Sequence, residues 1–79
     1  GKGYCDICIT SEDLKTGAII ELKYSKTDKG MEKACDIALR QIERRKYTDV
    51  FNRRQTKTIY KYGIACRQKY CVVKCLCEN

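Results

Sequence analysis

The sequence predicts an α+β (α/β) domain: a mixed sheet of about four strands with one main helix, in the order β-β-α-(α)-β-β. Three observations predict it. Two alternating apolar runs open the chain, a long stretch free of Gly and Pro follows, and two further strand-like runs close it. Seventy-nine residues are enough for one domain. There is no internal repeat and no low-complexity segment.

The first strand pattern is Tyr4 to Thr10, with Cys5, Ile7 and Ile9 on one face. The polar segment "SEDLKTG" then reads as a hairpin loop ending at Gly17. A second strand runs from about Ala18 to Tyr24. In "GAIIELKYSK" the residues Ile19, Ile20, Leu22 and Tyr24 read as a strand that wants cover, interrupted by Glu21 and Lys23. "SKTDKG" breaks the pattern and offers Ser, Thr and Asp as helix N-caps. From Met31 to about Tyr47, Met31, Ala34, Cys35, Ala38 and Ile42 fall at helical spacing. Thr48 or Asp49 caps a short second helix, "DVFNRRQ". A strand over "TKTIYKYGIAC" follows, with Gly63 as a bulge or a point of close approach. The last strand spans about Tyr70 to Cys77.

Net charge is +7, from 17 basic and 10 acidic residues with no His. Such a balance favours anionic partners, nucleic acid first, though a solvated basic surface has the same composition. Without His, His-based triads and His metal ligands are excluded. A membrane surface is the second anionic partner such a charge suits, but no apolar run approaches the length of a membrane helix, and no membrane partner is expected. The chain opens at Gly1, almost inside a strand pattern, and reads as a domain cut from a longer protein.

Seven cysteines raise disulfide and zinc readings. The odd count leaves a thiol over. Cys5 and Cys8 fall on opposite faces of a regular strand, with no Gly or Pro between them to make a zinc turn. Positions 71, 73, 75 and 77 share a face as Cys, Val, Cys, Cys, as small buried hydrophobes would. The expectation is reduced core cysteines, no zinc and a cytoplasmic protein.

If "SEDLKT" is the loop, residue numbers paired across the hairpin sum to 27, which puts Asp6 opposite Glu21 and Tyr4 opposite Lys23. Glu21 and Lys23 then share one face, and Ile20, Leu22 and Tyr24 the other. Facing carboxylates are unfavourable unless a positive group sits between them. A divalent cation with a preference for oxygen would meet that need. A solvated hairpin face with a routine Glu/Lys pair is the plainer reading of the same charges.

The order D…(~15)…E-x-K on adjacent strands before a helix resembles the PD-(D/E)xK nuclease superfamily. It is similar above all to the branch found C-terminal to predicted AAA-type ATPases in bacteria. The residues that carry the resemblance are "GKGYCDICI", "AIIELKY", "ACDIALRQIERRKY" and "KYGIAC". The resemblance implies a restriction-endonuclease-like core, whose first helix and strand would lie upstream of these residues. It implies Asp6 and Glu21 as metal ligands, the Leu22 backbone carbonyl completing the site, and Lys23 as the catalytic lysine. Gln41 joins the catalytic group, with Tyr47 in support. Helix geometry agrees for Gln41, which shares a stripe with Ala34, Ala38 and Arg45. The implied cofactor is Mg²⁺ or Mn²⁺, and the implied partners are DNA and an upstream ATPase domain; a homodimer is a further partner the chain could form. Arg40, Arg44, Arg45, Lys46, Arg53, Arg54 and Lys57 form the basic cluster that would draw nucleic acid. The competing reading is an inactive nuclease-like fold that binds or assembles beside the ATPase.

Overall fold

The structure is a computed structural model and describes residues 6–45, 47 and 49–79. Strand β1 (Ile7–Thr10) pairs antiparallel with β2 (Thr16–Tyr24). Helices α1 (Met31–Arg44) and α2 (Asp49–Arg53) carry the chain over to β3 (Thr58–Arg67), which lies parallel to β2. Strand β4 (Tyr70–Glu78) returns antiparallel to β3, so the sheet order is β1-β2-β3-β4. The mixed four-stranded sheet with one main helix is the predicted α+β fold, consistent with a restriction-endonuclease-like core.

The first hairpin has the expected register. Thr10 faces Gly17 and Ile7 faces Ile20, both summing to 27. Its loop is set by Asp13, whose Oδ1 accepts from the Ser11 hydroxyl at 2.8 Å and the Lys15 N–H at 3.0 Å. These bonds hold the Asp13 carboxyl below the usual range, the one from Lys15 most of all. Strand β2 starts two residues before the expected bound and β3 and β4 end one beyond it, whereas β1 starts only at Ile7, β3 at Thr58, and the helices end early, at Arg44 and Arg53. Tyr4, Cys5, Lys46 and Thr48 lie outside the described residues.

Helix α1 packs on one face of the sheet through Met31, Ala34, Cys35, Ala38, Leu39 and Ile42. It begins at Gly30, with no side chain capping it. The Thr, Ser and Asp offered as caps work one step earlier. Thr27 Oγ1 accepts the Gly30 N–H at 3.0 Å, and Ser25 Oγ donates to the Thr27 carbonyl at 2.6 Å. They shape the turn that delivers the chain to the helix.

Two glycines mark close approaches. A Cβ at Gly63 would stand 2.5 Å from the Cys35 carbonyl oxygen and 3.0 Å from Leu39 Cγ. Gly63 is therefore where α1 lies down on β3, not a bulge, and pairing runs unbroken through it on both sides. At Gly17 a Cβ would meet the ring of the fully buried Phe51 at 2.6 Å. That ring belongs to α2 and joins Ile19, Leu39, Ile42, Tyr47 and Ile59 in the larger core cluster.

Two expectations are corrected. Glu21 and Lys23 lie on the face that α1 covers, together with Gly17 and Ile19, whereas Leu22 is 41% and Tyr24 91% exposed. Alternation says which residues share a face, not which face is covered. The helix goes to the side where small residues allow close contact. The cysteines are likewise not core residues as a set. Cys35 is buried, Cys66 is half-buried, and Cys8, on the edge strand β1, is exposed; Cys71, Cys75 and Cys77 are exposed because β4 turns its odd-numbered side chains to the uncovered face. That face carries Ile7, Ile9, Ile20, Leu22, Tyr60, Tyr62, Ile64 and Val73, with Tyr60 and Tyr62 rings stacked 6.4 Å apart.

Lys61 is a buried cation that strand patterning did not single out. It is 5% exposed and its Nζ donates to both Glu43 on α1 and Glu78 on β4. Burial alone would lower its pKa, but the two carboxylates outweigh that and raise it, so it is charged at neutral pH. No helix among the described residues is long and apolar enough to cross a membrane.

Gly63→Ala should cost about 1–3 kcal/mol, since backbone opposes the new methyl group and α1 must lift. Urea unfolding read by circular dichroism measures it, and an unchanged midpoint would contradict the close approach.

Candidate active site

Asp6, Glu21, Lys23 and Gln41 meet at one place. Asp6 immediately precedes β1, and extending the hairpin register sets it opposite Glu21. Its Oδ2 accepts the Leu22 N–H at 2.7 Å, so the side chain docks on the strand that carries the other acid. Glu21 points from β2 under α1 and is 3% exposed. Lys23, half-buried, projects from the same face two residues on.

Gln41 joins the two charges. Its Nε2 donates to Glu21 Oε1, and its Oε1 accepts from Lys23 Nζ at 2.7 Å. Only one orientation of the amide serves both partners, because a carboxylate can only accept and an ammonium can only donate. The stripe Ala34, Ala38, Gln41 explains the reach. Two alanines let the helix lie close, and the amide one turn later arrives over the strand.

The other oxygen of Glu21, Oε2, is buried with no hydrogen-bond partner. Burial raises the Glu21 pKa from its ordinary value of 4.5, and the negative charge of Asp6 raises it further. The nearby Asp6 backbone N–H and the charges of Lys23 and Arg45 oppose the rise without cancelling it. A buried carboxylate oxygen with no donor, next to a second carboxylate, is a group whose charge a cation could balance. Among the described residues no group of three or more His, Cys, Asp or Glu side chains is placed to hold a metal. The protein ligands on offer are thus two carboxylates and backbone oxygen, a hard donor set that suits Mg²⁺ or Mn²⁺.

A family model described as the PD-(D/E)XK nuclease superfamily matches residues 1–75. The chain belongs to that superfamily. No curated protein and no solved structure matches it. The matched residues include Asp6, just before β1, and the segment Glu21-Leu22-Lys23 of β2.

The structure separates the remaining candidates. Tyr47 is 6% exposed in the core cluster, and its hydroxyl accepts from Arg45 Nη1 at 3.3 Å, so it stands behind the site, beside Arg45. Arg45 is the member of the basic cluster whose charge is felt by Glu21. Arg54, beyond α2, donates to Thr10 Oγ1 of β1 at 3.4 Å. Arg40 and Arg44 line a shallow surface pocket with Ile37 and Glu43, on the solvent side of α1. Arg53 and Lys57 are exposed, and Lys46 lies outside the described residues. The influence of Arg45 was legible only as its place on the Gln41 stripe.

Because the folded Glu21 holds its proton more tightly than the unfolded chain, stability should fall as pH rises through and above the ordinary carboxyl range near 4.5. Glu21→Gln should flatten that fall and raise Tm at neutral pH, by about 4–8 °C for each kcal/mol regained in a domain this small. Thermal unfolding of both proteins between acid and neutral pH checks it; a variant less stable at neutral pH would overturn the assignment.

Proposed function

We propose that this domain is a metal-dependent nuclease that hydrolyses phosphodiester bonds of DNA. The observation that carries the reading is the unpartnered buried Glu21 Oε2, set opposite Asp6 and beside a lysine held by Gln41.

Asp6 and Glu21 would hold Mg²⁺ or Mn²⁺, with the Leu22 carbonyl as a third oxygen. Bound there, such an ion polarises a phosphodiester and lowers the pKa of water. The chain's own residues do the rest. Gln41 keeps the Lys23 ammonium within reach of Glu21 and fixes where it points. Lys23 Nζ offers its remaining protons to the attacking water or to the phosphate oxygens as charge builds on them. Asp6 is tethered to the Leu22 N–H of the strand that carries Glu21, which fixes the two carboxylates relative to each other. Arg45, whose charge acts on Glu21, would contact the phosphate backbone beside the site, with Arg40, Arg44, Arg53, Arg54 and Lys57 extending the basic surface. Such contacts act without regard to base sequence and weaken with salt.

In an assay with plasmid and single-stranded DNA plus Mg²⁺ or Mn²⁺, Lys23→Ala should lower cutting by about 100-fold or more, the scale for losing one charged group at a transition state. If the wild type cuts nothing with either metal, the inactive, binding-only reading stands instead. Independently of cutting, Mg²⁺ or Mn²⁺ should raise the Tm of the wild type and leave that of Glu21→Gln unmoved.

A further inference from the structure

Cys66 and Cys71 lie directly opposite each other at the end of the β3–β4 hairpin. Arg67 and Tyr70 form the next pair, and only Gln68 and Lys69 make the turn, with Gln68 at φ 55°. The Cys66 carbonyl accepts the Ser25 N–H at 3.0 Å on the far side from β4. The Cys66–Cys71 pair is therefore of the narrow, non-hydrogen-bonded kind, where Cα atoms come to about 4.5 Å. That spacing falls inside the range of about 4.4–6.8 Å that a disulfide spans. The two sulfurs are already 3.2 Å apart, closer than simple van der Waals contact.

The other described thiols lack such a partner. Cys75 faces Tyr62, Cys77 faces Tyr60, Cys8 faces Ile19, and Cys35 is buried with its Sγ donating to the Val72 carbonyl. We propose that Cys66 and Cys71 are a redox site, a cross-strand dithiol that low-molecular-weight disulfides such as glutathione disulfide convert to an intramolecular disulfide. The site is on the sheet face opposite Glu21 and Lys23, and it does not depend on the nuclease reading.

The exchange has two steps. The exposed Cys71 loses its proton, and its thiolate attacks one sulfur of the external disulfide. One glutathione thiolate leaves and takes up a proton. Cys66 then loses its proton and attacks the Cys71 sulfur, expelling the second glutathione. Two protein thiols are oxidised and one external disulfide is reduced to two thiols. Cys66 is suited to the second step. Its contact with Cys71 and its burial raise its pKa, so it makes a poor first nucleophile in bulk solvent. Proximity supplies what acidity does not.

Trypsin makes the test direct, because it cuts after Arg67 and Lys69, between the two cysteines. The chain is incubated with glutathione disulfide, its remaining thiols are alkylated, and it is digested without reductant. The expected product is the peptide 62–67 joined to the peptide 70–74, separating on reduction. Cys66→Ser should leave Cys71 carrying a glutathionyl group, and Cys77→Ser should give the same joined pair as the wild type. Recovery of 62–67 and 70–74 as separate alkylated or glutathionylated peptides would overturn the proposal. So would linkage of 62–67 to 75–79. If Cys66→Ser fails to fold, the wild-type and Cys77→Ser maps decide alone.

Discussion

The amide of Gln41 is the contact on which the covered face of the sheet depends. Glu21 and Lys23 are charges that a helix would ordinarily avoid covering, because desolvation costs more than a loose ion pair returns. Gln41 changes that balance. It gives the carboxylate a donor and the ammonium an acceptor, so α1 can lie over both. The amide arrives there because Ala34 and Ala38 are small and Gly63 has no side chain to hold the helix away. One oxygen of Glu21 still goes without a partner. The satisfied half of the site orders it, and the unsatisfied half leaves room for chemistry.

Much of this was legible in the sequence. The loop length sets the hairpin register, and that register alone brings Asp6 to Glu21. Helical spacing put Gln41 on the packed stripe, and the E-x-K order gave the charges a family. The covered face was not legible, since period-two alternation is symmetric and Ile20, Leu22 and Tyr24 look as ready for burial as Ile19. The cysteines misled for the same reason: a shared face on β4 proved to be the open one. Tyr47 and Lys61 were hidden by residue type. A tyrosine after a helix reads equally as site or core, and a lysine amid strand residues reads as surface until two acids from other elements are placed around it.

Lys61 and Lys23 show two ways to keep a lysine under one helix. Lys61 is enclosed by carboxylates from α1 and β4, which neutralise it and tie the ends of the sheet to the helix. Lys23 is met by a neutral amide, so its charge is not cancelled at the contact. The first arrangement serves cohesion. The second keeps a positive charge available beside two acids.

The sheet also sorts charge. Within its strands Glu21, Lys23, Lys61, Arg67, Lys74 and Glu78 all point to the helix side, and the opposite side carries no formally charged strand residue. The sheet is therefore electrically two-sided among the described strand residues, with charge on the helix side and an uncharged plate behind it. A charged ligand would feel the two sides of the sheet unequally, so the fold can bias an approach by where it leaves charge out.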